Sequence, residues 1–394
     1  MPDGSNPIIQ PPNLLVTKTN PTTGQQQQAF PLQTEAWLKM QNVVQIALQF
    51  PLSRSSFNDL YGDFSDEATV EQAVDILSSI NQTASAYGDP TTLISDLTKF
   101  QSANTAPDTI YGNGVWLASQ TQVTAQQIVS LLNIGLTTIG NISDPKTRLD
   151  DLTQLLTGPG GVDPLANALK DNIDSFNTKT TDYYNRLNAE LTGSTNSLEW
   201  YLAQADNVLE EAQKAVSDDA DAIKQMNKDL KKLNDEYIGF TVAASSSPLL
   251  LLVPVFGPVL AVADAATFGT LAAKVKQEID ELNKKLKTVE KDQQQKSALV
   301  TQLTGFNAQA EDVDADGKAF LQTISTMIAC WVEFSTQVQT RLKELSPDDL
   351  KDWSQFMQQI EFQSAIDGWK LIEQKSEEFY QTGFVRFSTD TSSN

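Results

Sequence analysis

The sequence predicts an all-α, elongated molecule: a helical bundle with a long antiparallel coiled-coil hairpin and a small hydrophobic head at its tip. Three observations carry this. After Pro164, residues 163–237 repeat apolar side chains at steps of three and four without a further proline, and 271–345 do the same. An uncharged apolar run, Tyr237 to Ala263, lies between these two stretches. Shorter amphipathic segments with helix-capping residues stand on either side.

Residues 1–30 are rich in Pro, Asn, Thr and Gln, with the run Gln25 to Gln28, and read as an extended or disordered lead. Residues 31–162 read as the N-terminal helices of the bundle. Trp37, Met40, Val44 and Leu48 recur at helical spacing before Pro51. A second helix opens near Ser65-Asp66, carries Val70, Val74, Leu77 and Ile80, and stops before Gly88. A third follows Pro90 with Leu93, Leu97 and Phe100, and 104–120 reads as irregular around Pro107, Gly112 and Gly114. Gln122 to Ile139 reads as an apolar helix inside a charge-free stretch, Thr109 to Ser143. It is either a bundle-core helix or a second lipid-contacting or tip-covering element. Asp144-Pro145 opens a further helix that ends at the Gly158–Gly161 loop.

The first arm, 163–237, starts with Asp163 as N-cap and Pro164 as first helical residue. Its apolar row runs from Leu165 to Tyr237, with Gly193 the one weak point. About 75 residues at 1.5 Å each give a rod of roughly 110 Å. The second arm, 274–345, continues a row that begins at Leu271 and is equally long. Ser346-Pro347-Asp348-Asp349 has the pattern of a capping box and opens a C-terminal bundle helix over 346–382; residues 383–394 read as a flexible tail. Arms of matching length fold back on each other and place the head, 238–273, at the end of the rod.

The head holds the candidate functional residues. Pro248, Pro254 and Pro258 disfavour one straight membrane-spanning helix, although the run is long enough to cross a bilayer core. Pro254 to Pro258 reads as a turn, and Gly239 and Gly269 flank the head as hinges, with Gly257 inside the turn. The candidate membrane-inserting side chains are Phe240, Val242, Leu249, Leu250, Leu251, Leu252, Val253, Val255 and Phe256 before the second half of the head, and Val259, Leu260, Val262 and Phe268 within it. The head is either helical or a short β-tongue. A buried core hairpin and a permanent anchor are the alternatives, the latter disfavoured by Asp235-Glu236 and Asp264 where basic flanks would stand.

Composition narrows the function classes. The net charge of −22 argues against nucleic acid and against adsorption to anionic lipid by charge alone. Absence of histidine removes His-based triads and general bases, so no catalytic residue is proposed. The N-terminus carries no basic region followed by an apolar core, so release without an evident signal peptide is expected. The single cysteine, Cys330, lies in the apolar row Ile324, Met327, Ile328, Trp331 and reads as a buried structural thiol. Asp312-Val313-Asp314-Ala315-Asp316-Gly317 resembles half of a calcium loop, but Thr323 stands where the bidentate Glu belongs, so no metal site and no cofactor are expected.

Amphipathic helices, the arm from Asp163 to Tyr237, a Pro/Gly-punctuated uncharged head from Phe240 to Ala273, and the returning arm from Leu271 to Leu345 together resemble the cytolysin A-type α-helical pore-forming toxins. That superfamily includes components of haemolysin BL, the non-haemolytic enterotoxin and the two-component Xax-type toxins. The resemblance covers about residues 30 to 380 as architecture. It implies a water-soluble monomer with its head folded against the rod, released on meeting a target-cell lipid membrane. It also implies partners: further copies of the chain in a ring, and room for a second toxin component. The runner-up from the residues alone is a coiled-coil scaffold that docks a protein partner through its apolar tip. A carboxylate enzyme is a third reading, disfavoured because long coiled arms supply no ready concave site.

Overall fold

Capping side chains start most of the helices at the positions the sequence marks. The computed structural model describes residues 8–19, 25–89, 98–204, 206–244, 249–251, 277, 281, 284, 290–383 and 385–387. Helix α1 (Glu35–Ala47) begins after Thr34, whose hydroxyl accepts from the Trp37 amide. Helix α2 (Arg54–Tyr61) has a reciprocal Ser53–Ser56 capping box, and α3 (Glu67–Tyr87) is capped by Asp66. Helix α4 spans Ile110–Gly140 after Thr109, and α5 spans Pro145–Thr157 with Asp144 accepting from the Thr147 amide.

The predicted irregular stretch is therefore helical from Ile110 onward. Gly112 and Gly114 are there for close approach, not for a turn. A Cβ on Gly114 would stand 2.6 Å from the Trp37 ring, and one on Gly112 would stand 2.8 Å from the Phe100 ring. The uncharged α4 is amphipathic in place: Ile128, Leu132, Leu136 and Ile139 are buried, and the helix packs against the C-terminal helix.

The first arm is divided. Helix α6 covers Val162–Thr192, a short α7 covers Leu198–Leu202, and α8 covers Val208–Ala244. Local chemistry accounts for the break. Gly193 ends α6 with its amide on the Ala189 carbonyl, and Asn196 takes a left-handed φ of 55°. Ser197 then caps α7, and the Asn207 side chain accepts from the Glu210 amide at 3.0 Å to start α8. Four polar and glycine residues outweigh a continuous apolar row. The start of the arm also differs by two residues, with Gly161 as N-cap and Val162 as the first helical residue. Asp163 lies inside the first turn of α6, and its carboxylate accepts from Ser335 and Gln339 across the interface instead of capping its own helix.

Among the described residues from 290 onward, the second arm is α9 (Lys291–Ala310) and α10 (Val313–Glu344), interrupted at 311–312; most of 274–289 lies outside the described residues. Asp312 to Gly317 enters the helix directly, so the half-motif is not a calcium loop. The antiparallel pairing of the arms is present where α6 meets α10: Asp163 faces Ser335, and Gly317 faces the Tyr184 ring. Beyond the break, α8 turns back and runs in the same direction as its neighbour α9. The Asn227 amide donates to the Thr301 carbonyl (3.0 Å) and the Thr304 hydroxyl (2.7 Å), and further along both helices Lys231 reaches Asp312 at 2.7 Å.

The C-terminal region is also segmented. The Ser346–Asp349 box forms as expected but caps a 3-10 turn, Pro347–Leu350. Helices α11 (Trp353–Gln359) and α12 (Phe362–Thr382) follow, separated at Glu361, whose φ is 50°. The Gln10 side chain donates to the carbonyls of Ile360 and Glu361 at this break.

The lead over 1–30 is not a free tail where it is described. Ile8, Ile9, Leu14 and Phe30 are buried in the core, and strands β1 (Val16–Thr19) and β2 (Gln26–Ala29) pair antiparallel. Its few apolar residues offset the ordering cost that its polar composition predicts. Cys330 is half-buried on the flank of α10, its thiol donating to the Asn13 carbonyl at 3.3 Å, and is not a core residue. Burial pushes that thiol's pKa up.

Candidate functional site: the apolar head and its anchorage

The apolar run begins in the last turns of α8. Gly239, Phe240 and Val242 belong to that helix. Leu249, Leu250 and Leu251 form strand β3. Its partner is β4, Val385–Phe387, in parallel register, with Leu249 opposite Val385, Leu250 opposite Arg386 and Leu251 opposite Phe387. Pro248, Leu252, Val253, Pro254, Val255, Phe256, Gly257, Pro258, Val259, Leu260, Val262, Phe268 and Gly269 lie outside the described residues.

Two anchors flank this pair. The first is ionic and precedes the run. Lys231 bridges Asp235 (3.0 Å) and Asp312 (2.7 Å), while Lys39 lies 3.9 Å from Asp235 and 3.7 Å from Asp316. This ties the last turns of α8 to α1 and α10. Burial works against the Lys231 charge, but the hydrogen bonds it donates to Asp312 and Asp235 outweigh it and hold its pKa above the ordinary value. The Lys231 hydrogen bond holds Asp312 below the usual carboxylate range, and burial raises Asp316 above it.

The second anchor precedes β4. The Gly383 carbonyl accepts from the Trp37 indole at 2.5 Å and from the Gln41 amide at 3.1 Å, both buried. Trp37 sits in an aromatic cluster with Tyr111, Phe320, Tyr87 and Phe379. The predicted tail 383–394 is thus fixed at its first residue and carries a strand. The α4 stretch Gln122 to Ile139 faces α12 through Gln126–Glu373 (2.8 Å) and Tyr380–Gln122 (2.5 Å).

Sequence reasoning missed β4 because Val385-Arg386-Phe387 is too short to show a period. Its only signal was the small apolar content of an otherwise polar end. The acidic pair Asp348-Asp349 has a structural role: Ser346 hydrogen bonds lower the Asp349 pKa while that side chain closes the cap. Among the described residues, no group of His, Cys, Asp or Glu is placed to hold a metal ion, and no helix is long and apolar enough to cross a membrane.

No family model matches this sequence, and no curated protein matches it. Solved structures do. The soluble SmhA component of the tripartite α-pore-forming toxin Smh from Serratia marcescens aligns in two crystal forms. Both have a TM-score of 0.52 and cover 89% of this chain and 91% of SmhA, at 10% and 12% identity. The HblL1 toxin component of Bacillus cereus aligns over 91% of this chain and 96% of its own, at 13% identity and a TM-score of 0.44, so the likeness that counts is to SmhA. The chain shares the elongated, all-α fold of soluble SmhA, the fold class that the order of its helical segments led us to expect.

Proposed function

We propose that this chain is a pore-forming toxin component: a soluble form that inserts its apolar head into a target membrane and assembles there with further copies, with room for a second component. The observation that carries this is the uncharged run from Tyr237 to Ala263 on a chain with the SmhA fold. A dozen Val, Leu, Ile and Phe side chains moved out of water at ~1.5–3 kcal/mol each represent ~20–30 kcal/mol before ordering costs. That is large beside the ~5–15 kcal/mol of an ordinary fold, so burial against protein and burial in lipid can compete. Membership of a tripartite system, as the SmhA name describes for that protein, supports a partner component for this one.

The test is dye release from protein-free liposomes, with electron microscopy of the same membranes. The unmodified chain, alone or with a partner component, should release dye and form rings. Leu251→Asp with Val259→Asp should leave helical content intact and abolish release, because each charge at mid-bilayer costs ~2.5–3.5 kcal/mol. Undiminished release by the double variant would exclude the head as the inserting element. Intact liposomes under every condition would favour a scaffold that docks a protein.

A further inference from the structure

Helix α4 carries a second row of side chains, turned away from the bundle. Val123, Gln127, Ser130, Ile134, Thr137 and the C-cap Asn141 follow one another at steps of four and three, and all six are exposed. At 1.5 Å per residue the row is about 27 Å long. Ile134 is 70% exposed and Val123 40%, although most large apolar side chains of the described chain are buried. Leu155 of α5 lies against Gly135 on one flank, and α12 meets Gln122 and Gln126 on the other, so the row stands clear of both.

The row is also free of charge, because no ionisable side chain other than Tyr111 stands between Thr109 and Ser143. In a chain with 28 basic and 50 acidic residues, two copies repel wherever acidic surfaces meet, and along this row they do not. Its threonines are turned inward as donors. Thr137 gives its hydroxyl proton to the Asn133 carbonyl at 2.6 Å, and the adjoining Thr138 gives its own to the Ile134 carbonyl at 2.8 Å. Lipid is a poor occupant, since Gln127, Ser130 and Asn141 would lose water there and gain no partner.

We propose that this row is a self-association surface, on which α4 of a second copy packs antiparallel about a twofold axis. The row is self-complementary in that direction. With the axis level with residue 132, Ile134 of each copy faces Ser130 of the other, Gln127 faces Thr137, and Val123 faces Asn141. The protruding isoleucine thus meets a small serine, twice, and the two rows interdigitate. The Thr137 hydroxyl oxygen can still accept from the Gln127 amide. In the parallel direction Ile134 would meet Ile134 and Ser130 would meet Ser130, which leaves a clash beside a gap. One helix face is a small contact, so the dimer is transient, not obligate. It belongs to the water-soluble chain and does not rest on the pore-forming reading.

Sedimentation velocity of the full chain, without membranes, is the test. A reversible monomer–dimer equilibrium is expected. Raising the salt from about 0.05 to about 0.5 M should strengthen it, because the contact holds no ion pair while the repulsion between two negative chains is screened. Ile134→Asp should weaken it at least tenfold with the helical signal unchanged. Val332→Asp, at an exposed valine on α10, should leave it as it is. Direction is read by cross-linking. With Cys330→Ser in both chains, a mixture of Gln127→Cys and Thr137→Cys chains should oxidise to covalent dimers faster than either variant alone. A chain that stays monomeric at every concentration and salt would overturn the proposal. So would a dimer that weakens as salt rises, a dimer of Ile134→Asp as tight as that of the unmodified chain, or single variants that cross-link as fast alone as when mixed.

Discussion

Trp37 lies where α1, α3, α4, α10 and α12 meet, with the rings of Tyr111, Phe320, Tyr87 and Phe379 at 5.3, 5.5, 5.8 and 5.9 Å. Around it the core is rich in tyrosine. Tyr61, Tyr87, Tyr111, Tyr183 and Tyr184 are all buried, and burial raises the pKa of each above its ordinary value of 10.0. The sign of the consequence is fixed. The folded chain keeps these protons after the unfolded chain has lost them, so their stabilisation is complete below pH 10 and is lost as pH rises above it. Each such group costs up to ~1.4 kcal/mol per pH unit until it titrates in the folded state. Against ~5–15 kcal/mol of total stability, several buried tyrosines acting together should unfold the chain as pH rises above 10. Tyrosinate absorbance and loss of helix should then rise together in one cooperative step. Smooth titration of all eight tyrosines while the helices persist would contradict this burial.

The helices were legible where side-chain spacing and caps agree. Asp66 and Asp144 start α3 and α5 as read, whereas α2, capped by Ser53, was not read from the sequence, and the buried stripe of α10 includes the row Ile324, Met327, Trp331. Direction was less legible. A periodic row says which face is buried but not which neighbour buries it, so Ile223, Met226, Leu230 and Leu233 fit a straight arm and a returning helix equally well. The deciding signal was present but weak: Gly193, Ser194, Thr195 and Asn196 in succession. Helix α8 has to be continuous through Met226 for Asn227 and Lys231 to meet α9 and α10. Met226→Pro should therefore cost ~3 kcal/mol or more, through a lost backbone hydrogen bond and a ring clash. Met226→Leu, which preserves burial and helix propensity, should stay within about 1.5 kcal/mol. Denaturant midpoints measure both; equal midpoints would mean that α8 adds no stability as a continuous helix.

On the scale of the whole molecule, the described strand of the head, Leu249–Leu251, and the last described strand, Val385–Phe387, are paired, although they lie far apart in sequence. No local pattern encodes such a contact, which is why the sequence suggested α4 as the element facing the head. The pairing gives the proposed insertion a definite obstacle. The head cannot move away while Leu249–Leu251 stays hydrogen-bonded to Val385–Phe387, and that strand is tethered through Gly383 to Trp37 and Gln41. A cross-link at the centre of the pair tests whether release is required. With Cys330→Ser removing the native thiol, Leu250→Cys and Arg386→Cys stand at paired positions, where the strand spacing suits a disulfide. The oxidised chain should bind liposomes without releasing their dye, and reduction should restore release to the level of the Cys330→Ser parent. Limited proteolysis should cut the reduced chain near 384 faster than the oxidised one once liposomes are added. Dye release that is equally fast with the bond verified intact would show that the head inserts without leaving the C-terminal strand.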